Sequence, residues 1–232
     1  MRIKNYLLYM AIMATACLCL YFVGNIVQRA SPANAVASRQ TTVIVDAGHG
    51  GEDGGASGAD GTLEKTLNLE VALKVRDMLR MMGYRVIMTR ETDISIHDSN
   101  AKNTRQRKRT DLANRAELLK RNPAAVYIGI HMNLFTQTQY SGTQVFFSAK
   151  SPESKPLAES IQSAVKTMLQ SENNRVVKQA TSDIFLLHTA ENVAVMVECG
   201  FLSNAAELEK LKTDEYQCQM AFAIVSGLIS SF

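Results

Sequence analysis

The stretch from Thr41 to Thr66, TTVIVDAGHGGEDGGASGADGTLEKT, constrains the fold more than any other part of the chain. Its β-branched run Thr42-Val43-Ile44-Val45 reads as a buried strand. The strand passes directly into Asp46-Ala47-Gly48-His49-Gly50-Gly51 and a polar, glycine-dense loop, and an apolar-periodic segment begins near Leu63 with Glu64 in its first turn. A strand ending in a histidine, followed by a carboxylate at a helix start, brings two metal-ligand types to one edge of a sheet. In open α/β sheets that edge, beyond the carboxyl ends of the strands, is where sites form.

The rest of the chain alternates in the same way. Leu63 to Met82 carries a helical stripe (Leu67, Val71, Val75, Met78, Leu79) that stops at Gly83, and Tyr84 to Met88 is a strand. Ile94 to Arg109 is polar and reads as a loop containing the basic run Lys102 to Arg109; a helix is expected from Thr110 or Asp111 through Leu119. Ala125 to Ile130 is an apolar strand ending in His131-Met132-Asn133, and Gly142 to Ser148 alternates as a strand. Pro156 to Leu169 is a helix, a weak strand is expected at Arg175 to Lys178, and Ile184 to Leu187 is a short apolar run. Val193 to Val197 is the last strand, ending in Glu198-Cys199-Gly200; a short helix capped by Asn204 and an amphipathic helix over Asp214 to Ile229 close the chain. This order predicts an α/β fold: a single domain with a mixed, mostly parallel sheet and helices on both faces.

With 232 residues and 46% hydrophobic content, one full-sized core is the default. The formal charge of +3 comes from the N-terminus: of 25 basic residues, Arg2, Lys4 and Arg29 precede residue 38, leaving 22 against 22 acids. A neutral domain gives no global field for nucleic acid. Arg2 and Lys4 precede Leu7 to Val27, an uncharged run, and Ser31 to Ala37 offers small-x-small cleavage sites. The run is long enough to cross a bilayer, which takes about 20 residues. Residues 1–39 are therefore expected to be a cleaved signal peptide or an uncleaved membrane anchor, with the working domain over 40–232 outside the cytoplasm. Cys199 and Cys218 lie in that domain without C-x-x-C spacing and read as unpaired thiols.

Three buried-looking strands thus end in His49, His131 and Glu198, with Glu64 on an adjacent helix start. A lone histidine at a strand end is more often structural; two with a glutamate on one edge suit a catalytic metal. Zinc accepts sets of three N/O ligands with an open position, leaving a fourth group to act as base or acid. Structural and nucleotide-site readings stay open on spacing alone, although Walker A lacks its GK[ST] and Asp53 occupies the third glycine of a dinucleotide fingerprint. His97 in a polar loop reads as a surface residue, and His188 as a strand-end residue. Alternation puts Cys199 on the face opposite Glu198, which argues against a cysteine nucleophile.

Seven segments in order, DAGHGGEDGGA, EKTLNLEVA, MTR, LANR, IGIHMN, GTQVFF and VECGFLSN, resemble the zinc-dependent N-acetylmuramoyl-L-alanine amidases of the AmiC/CwlV type (amidase_3). The resemblance runs from Thr41 to the C-terminus. It implies Zn²⁺ held by His49, Glu64 and His131, with Glu198 as the catalytic glutamate. It implies hydrolysis of the amide joining the lactyl group of N-acetylmuramic acid to L-alanine, so that the partners are peptidoglycan glycan strands and stem peptides. Asp46 is a candidate for orienting an imidazole. Arg90, Arg115 and Asn133 are candidates for holding stem-peptide carboxylates or glycan oxygens, against a purely structural role. The segment TRQRKRTDLANR and the absence of a repeat are similar to the spore-cortex (CwlD-type) members. The basic segment leaves room for anionic wall polymer or an accessory exported protein or lipoprotein. Two departures from the family pattern, the long basic segment between Arg90 and Asp111 and Asn192 in place of a proline, touch no proposed ligand. A wall-binding module without activity and an exported zinc carboxypeptidase are the competing readings.

Overall fold

Side-chain alternation along two central strands organises the molecule. In a computed structural model, which describes residues 41–232, β3 spans Val126–Asn133 and β6 spans Ala194–Phe201, and they pair in parallel. Val126, Ile128, Ile130 and Met132 of β3, with Val195, Val197 and Cys199 of β6, point into one apolar cluster. Tyr127, Ala194 and Met196 point into another on the opposite face. A period of two therefore sends His131 and Glu198 to the same face, and the register makes them direct neighbours.

Around this pair, β1 (Thr42–Ala47), β2 (Arg85–Met88), β4 (Gln144–Phe147) and β5 (Lys178–Gln179) complete a sheet of order β2-β1-β3-β6-β4-β5. All neighbours are parallel except β4 and β6. Burial on both faces accounts for the continuous apolar runs in the central strands. One face is covered by α1 (Glu64–Met81), α3 (Ser154–Met168) and α6 (Asp214–Ser230), with Leu208 and Leu211 of α5 (Ala205–Leu211). The other face carries α2 (Thr104–Arg121) and the short α4 (Phe185–Thr189). The expected α/β architecture is the observed one.

Three local expectations differ. Helix α2 starts at Thr104, so the basic run forms its opening turns; the Asn103 side chain accepts from the Gln106 N–H at 2.9 Å and caps it. Arginine, lysine and glutamine are good helix formers, and an exposed helix start needs no apolar stripe to announce itself. Ile184 to Leu187 winds into α4, burying Leu186 and Leu187. The edge strand β5 is only Lys178–Gln179. Cys199 and Cys218 are free. The leader or anchor over residues 1–39 lies outside the described residues; among the described residues no helix is long and apolar enough to cross a membrane.

Candidate metal centre

His49 follows β1 in a conformation that side chains rarely adopt, with φ of 60°. Tight hydrogen bonds hold it there. The Gly48 N–H donates to the Ile130 carbonyl at 3.1 Å, Gly50 and Asp53 exchange backbone hydrogen bonds, and Arg115 Nη2 donates to the His49 carbonyl at 2.8 Å. Strain of this kind is usually retained at working sites. It aims Nε2 at Glu64 Oε2, 3.2 Å away, while Nδ1 meets Asp53 Oδ2 at 2.9 Å.

Glu64 opens α1, where the positive end of the helix dipole favours a carboxylate. The Ala56 N–H donates to its Oε2 at 2.9 Å; Asn68 Nδ2 and the Met132 N–H donate to Oε1, each at 3.2 Å. His131 Nδ1 lies 2.9 Å from the same Oε1. The two imidazoles meet edge to face with centroids 5.1 Å apart. Two glycines make room. A Cβ on Gly48 would come within 2.3 Å of the His131 ring, and one on Gly55 (φ 69°) would come within 2.6 Å of Glu64 Oε2.

Ligand atoms of His49, Glu64 and His131 all lie within 4.8 Å of one another, close enough to share one cation. Two half-buried imidazoles and one buried carboxylate thus converge in a group that could hold a metal ion. Beside them stands Glu198, opposite His131 in the ladder, with its Oε2 enclosed and without a hydrogen-bond partner among the described residues. Protonation follows from the surroundings. Burial opposes charge on His49, but Asp53 and Glu64 outweigh it and lift its pKa to about 9. Burial likewise works against the Glu64 charge, and the two histidines overcome it, holding the carboxyl well below its ordinary range. For Glu198, burial dominates and pushes the carboxyl up to about 7, with the Glu64 charge adding to the rise.

A family profile described as N-acetylmuramoyl-L-alanine amidase (Amidase_3) matches residues 43–230. The chain belongs to that family. This amidase is 37% identical over 190 residues to the germination-specific N-acetylmuramoyl-L-alanine amidase of Bacillus subtilis (strain 168), a match covering 82% of this chain and 79% of the other. In structure it resembles the CwlD amidase from Clostridioides difficile in complex with the GerS lipoprotein (TM-score 0.80, 40% identity, 83% of this chain and 98% of that one). It also resembles an N-acetylmuramoyl-L-alanine amidase from Clostridium difficile 630 (TM-score 0.72, 28% identity, 83% and 97%). The amidase is thus a peptidoglycan hydrolase close to the germination and CwlD enzymes.

Other candidates fall differently. Asp46 is buried and is hydrogen-bonded to neither imidazole: it accepts from Thr89 Oγ1 at 2.7 Å, from the Tyr127 hydroxyl at 2.6 Å and from Arg115. The imidazole partner is Asp53, which sequence reasoning passed over; its signal was a carboxylate four residues after His49 in a glycine turn. Arg90 and Arg115 correct the substrate-binding expectation. Arg90 is 2% exposed and donates to the carbonyls of Ala47, Gly48, Lys65 and Thr92. Arg115, at 1%, is spent on Asp46, Asp111 and the carbonyls of Ala47 and His49. Both guanidinium groups brace the backbone of the turn that carries His49. Asn133 is half-buried and lines a groove beside Glu198. His97 is half-buried on Ser95, His188 is exposed on α4, and neither joins the metal-binding group. Burial raises the Cys199 thiol, which faces the core as alternation requires.

Proposed function

We propose that this chain is a zinc-dependent enzyme cleaving the amide between the lactyl group of N-acetylmuramic acid and L-alanine in spore-cortex peptidoglycan, a step towards muramic δ-lactam. The enclosed, unpartnered Oε2 of Glu198 beside His49, Glu64 and His131 carries the reading. Leaving a buried acceptor unpaired costs about 1–3 kcal/mol. A purely structural site would have removed that cost with an apolar side chain.

His49 Nε2, Glu64 and His131 would hold the Zn²⁺, a donor set zinc is known to accept. When bound, zinc supplies Lewis acidity towards the amide carbonyl and acidifies water. Glu198 takes the proton of the attacking water and passes it to the departing amine nitrogen of L-alanine, so the carboxyl returns to its starting state. Asp53 fixes the His49 ring through Nδ1, and Glu64 is itself fixed by the Ala56 and Met132 N–H groups.

The spore-cortex assignment is supported by the likeness to the germination-specific amidase of Bacillus subtilis and to CwlD. The CwlD amidase is seen with a lipoprotein, and an exported accessory lipoprotein is proposed as a partner here. Residues 1–39 act as signal peptide or anchor, placing the domain over 40–232 in the cell wall or the forespore intermembrane space.

The test is Glu198→Gln. The variant should keep its zinc by elemental analysis, while release of stem peptides from purified cortex, read as new L-alanine amino termini, falls about 10²–10⁴-fold. Near-normal turnover would remove Glu198 from the chemistry; released D-alanine in place of L-alanine termini would make the enzyme a carboxypeptidase.

A further inference from the structure

A groove of ≈ 390 Å³ opens on the β4–β5 side of Glu198. Gln144 stands directly opposite Glu198 in the β4–β6 ladder, and Phe146 follows two residues on, so both share the face of Glu198. Asn133, two residues beyond His131, forms the near lip. Exposed rings of Phe135 and Tyr140, edge to face at 5.3 Å, make one wall.

Two cations complete the groove. The Arg175 guanidinium lies over Phe201, 4.5 Å from the ring centroid, and is fixed by bonds from Nε to the Ser141 carbonyl (2.8 Å) and from Nη1 to Gln144 Oε1 (3.0 Å). Lys178 of β5 pairs with Phe146, is exposed, and forms no ion pair among the described residues. None of the described lining residues is acidic. Glu207, whose charge reaches Arg175, is turned instead onto the N–H groups of Gly142 and Phe201. Two cations with no carboxylate in ion-pair contact among the described residues, one of them held rigid, favour an anionic ligand.

The scissile bond has two arms of different charge. The glycan arm is neutral, because its lactyl carboxyl is tied up in the amide and its amino groups are acetylated. The peptide arm carries free carboxylates beyond L-alanine. We propose that this groove takes the acidic stem peptide, pairing its carboxylates with Arg175 and Lys178; the inference rests on the peptidoglycan reading of the neighbouring site. Reach agrees. Lys178 lies two strands across and two residues along from Glu198, about 12 Å at a strand spacing of about 4.8 Å and a rise of about 3.3 Å. Roughly three or four extended residues span that distance, and the lysine side chain shortens it. The anions met are therefore those of the first three stem residues.

The experiment titrates the full chain, by NMR, with two synthetic peptides: the L-alanyl-D-glutamyl-diaminopimelyl-D-alanine stem and the same stem with its free carboxylates amidated. The acidic form should bind about tenfold tighter at low salt. Lys178→Gln should weaken the acidic form about three- to fivefold and the amidated form not at all, as for a partly exposed ion pair; Lys178→Glu should weaken it further. Equal binding of both peptides by the wild type, or equal weakening of both by Lys178→Gln, overturns the assignment. Peptidoglycan digestion run alongside separates the two readings. Normal turnover without charge preference removes the groove alone, whereas charge-dependent binding without turnover upholds the groove and removes the amidase chemistry.

Discussion

His49 stands between two carboxylates, Asp53 on Nδ1 and Glu64 on Nε2. Without a cation, the proton shared among them is held until about pH 9. Because the folded pKa lies above the ordinary value of 6.5, this proton stabilises the metal-free fold fully below pH 6.5, and the stabilisation is lost as pH rises through about 9. A cation needs the opposite state, a neutral imidazole, so binding must expel the proton. Zinc affinity measured by chelator competition should therefore rise about tenfold per pH unit between pH 6.5 and 9 and level off above. Asp53→Asn removes one of the two groups raising the pKa, so its slope should flatten at a lower pH. An affinity indifferent to pH over that range would mean that His49 is not a ligand.

At the scale of elements, close packing behind the sheet decides how firmly the site is held. Helices α3 and α6 cross at Gly227, where an added Cβ would stand 2.5 Å from Ile161 Cα and 2.8 Å from its N. Those are backbone atoms and cannot swing aside. Alanine improves helix propensity by about 1 kcal/mol over glycine, but overpacking costs about 1–3 kcal/mol. Gly227→Ala should then lower the urea midpoint by a net loss of up to about 2 kcal/mol, with no change in m; an unchanged or higher midpoint would show that the helices part freely. Packing of this kind also marks what could be read in advance. Strands and helices with an apolar character, such as Val126–Ile130 and Leu67–Leu79, declared themselves, and so did the convergence of His49, His131 and Glu198 on one region. His49, however, lies past the end of β1, and His131 and Glu198 lie within β3 and β6, not at the strand ends expected. Helix α2 did not declare its start, because Lys102 to Arg109 carries no apolar stripe and its cap, Asn103, is a local hydrogen bond and not a pattern. Asp46 drew attention by standing three residues before His49, and Arg90 and Arg115 by their expected place near the same sheet edge. Which way each side chain turned depended on partners far away, Tyr127 and Thr89 for Asp46, and no spacing rule encodes those contacts.

For the whole molecule, the proposed metal centre draws together three segments: the turn after β1, the first residue of α1 and the last part of β3. These elements meet only in the folded sheet, so a cation bound there binds the native state and not the unfolded chain. Mass action then adds about 4 kcal/mol when free metal is about a thousand times the dissociation constant. A domain of this size shifts its melting temperature by about 2–4 °C per kcal/mol. Chelation should thus lower the melting temperature by roughly 8–16 °C, and readdition of zinc should restore it. Glu198→Gln keeps all three ligands and should retain the shift, although it loses turnover. His131→Ala removes one ligand while leaving the β3–β6 ladder paired, and its melting temperature should barely respond to chelator. A full response in that variant would place the cation elsewhere, and the assignment of His49, Glu64 and His131 as one centre would fall with it.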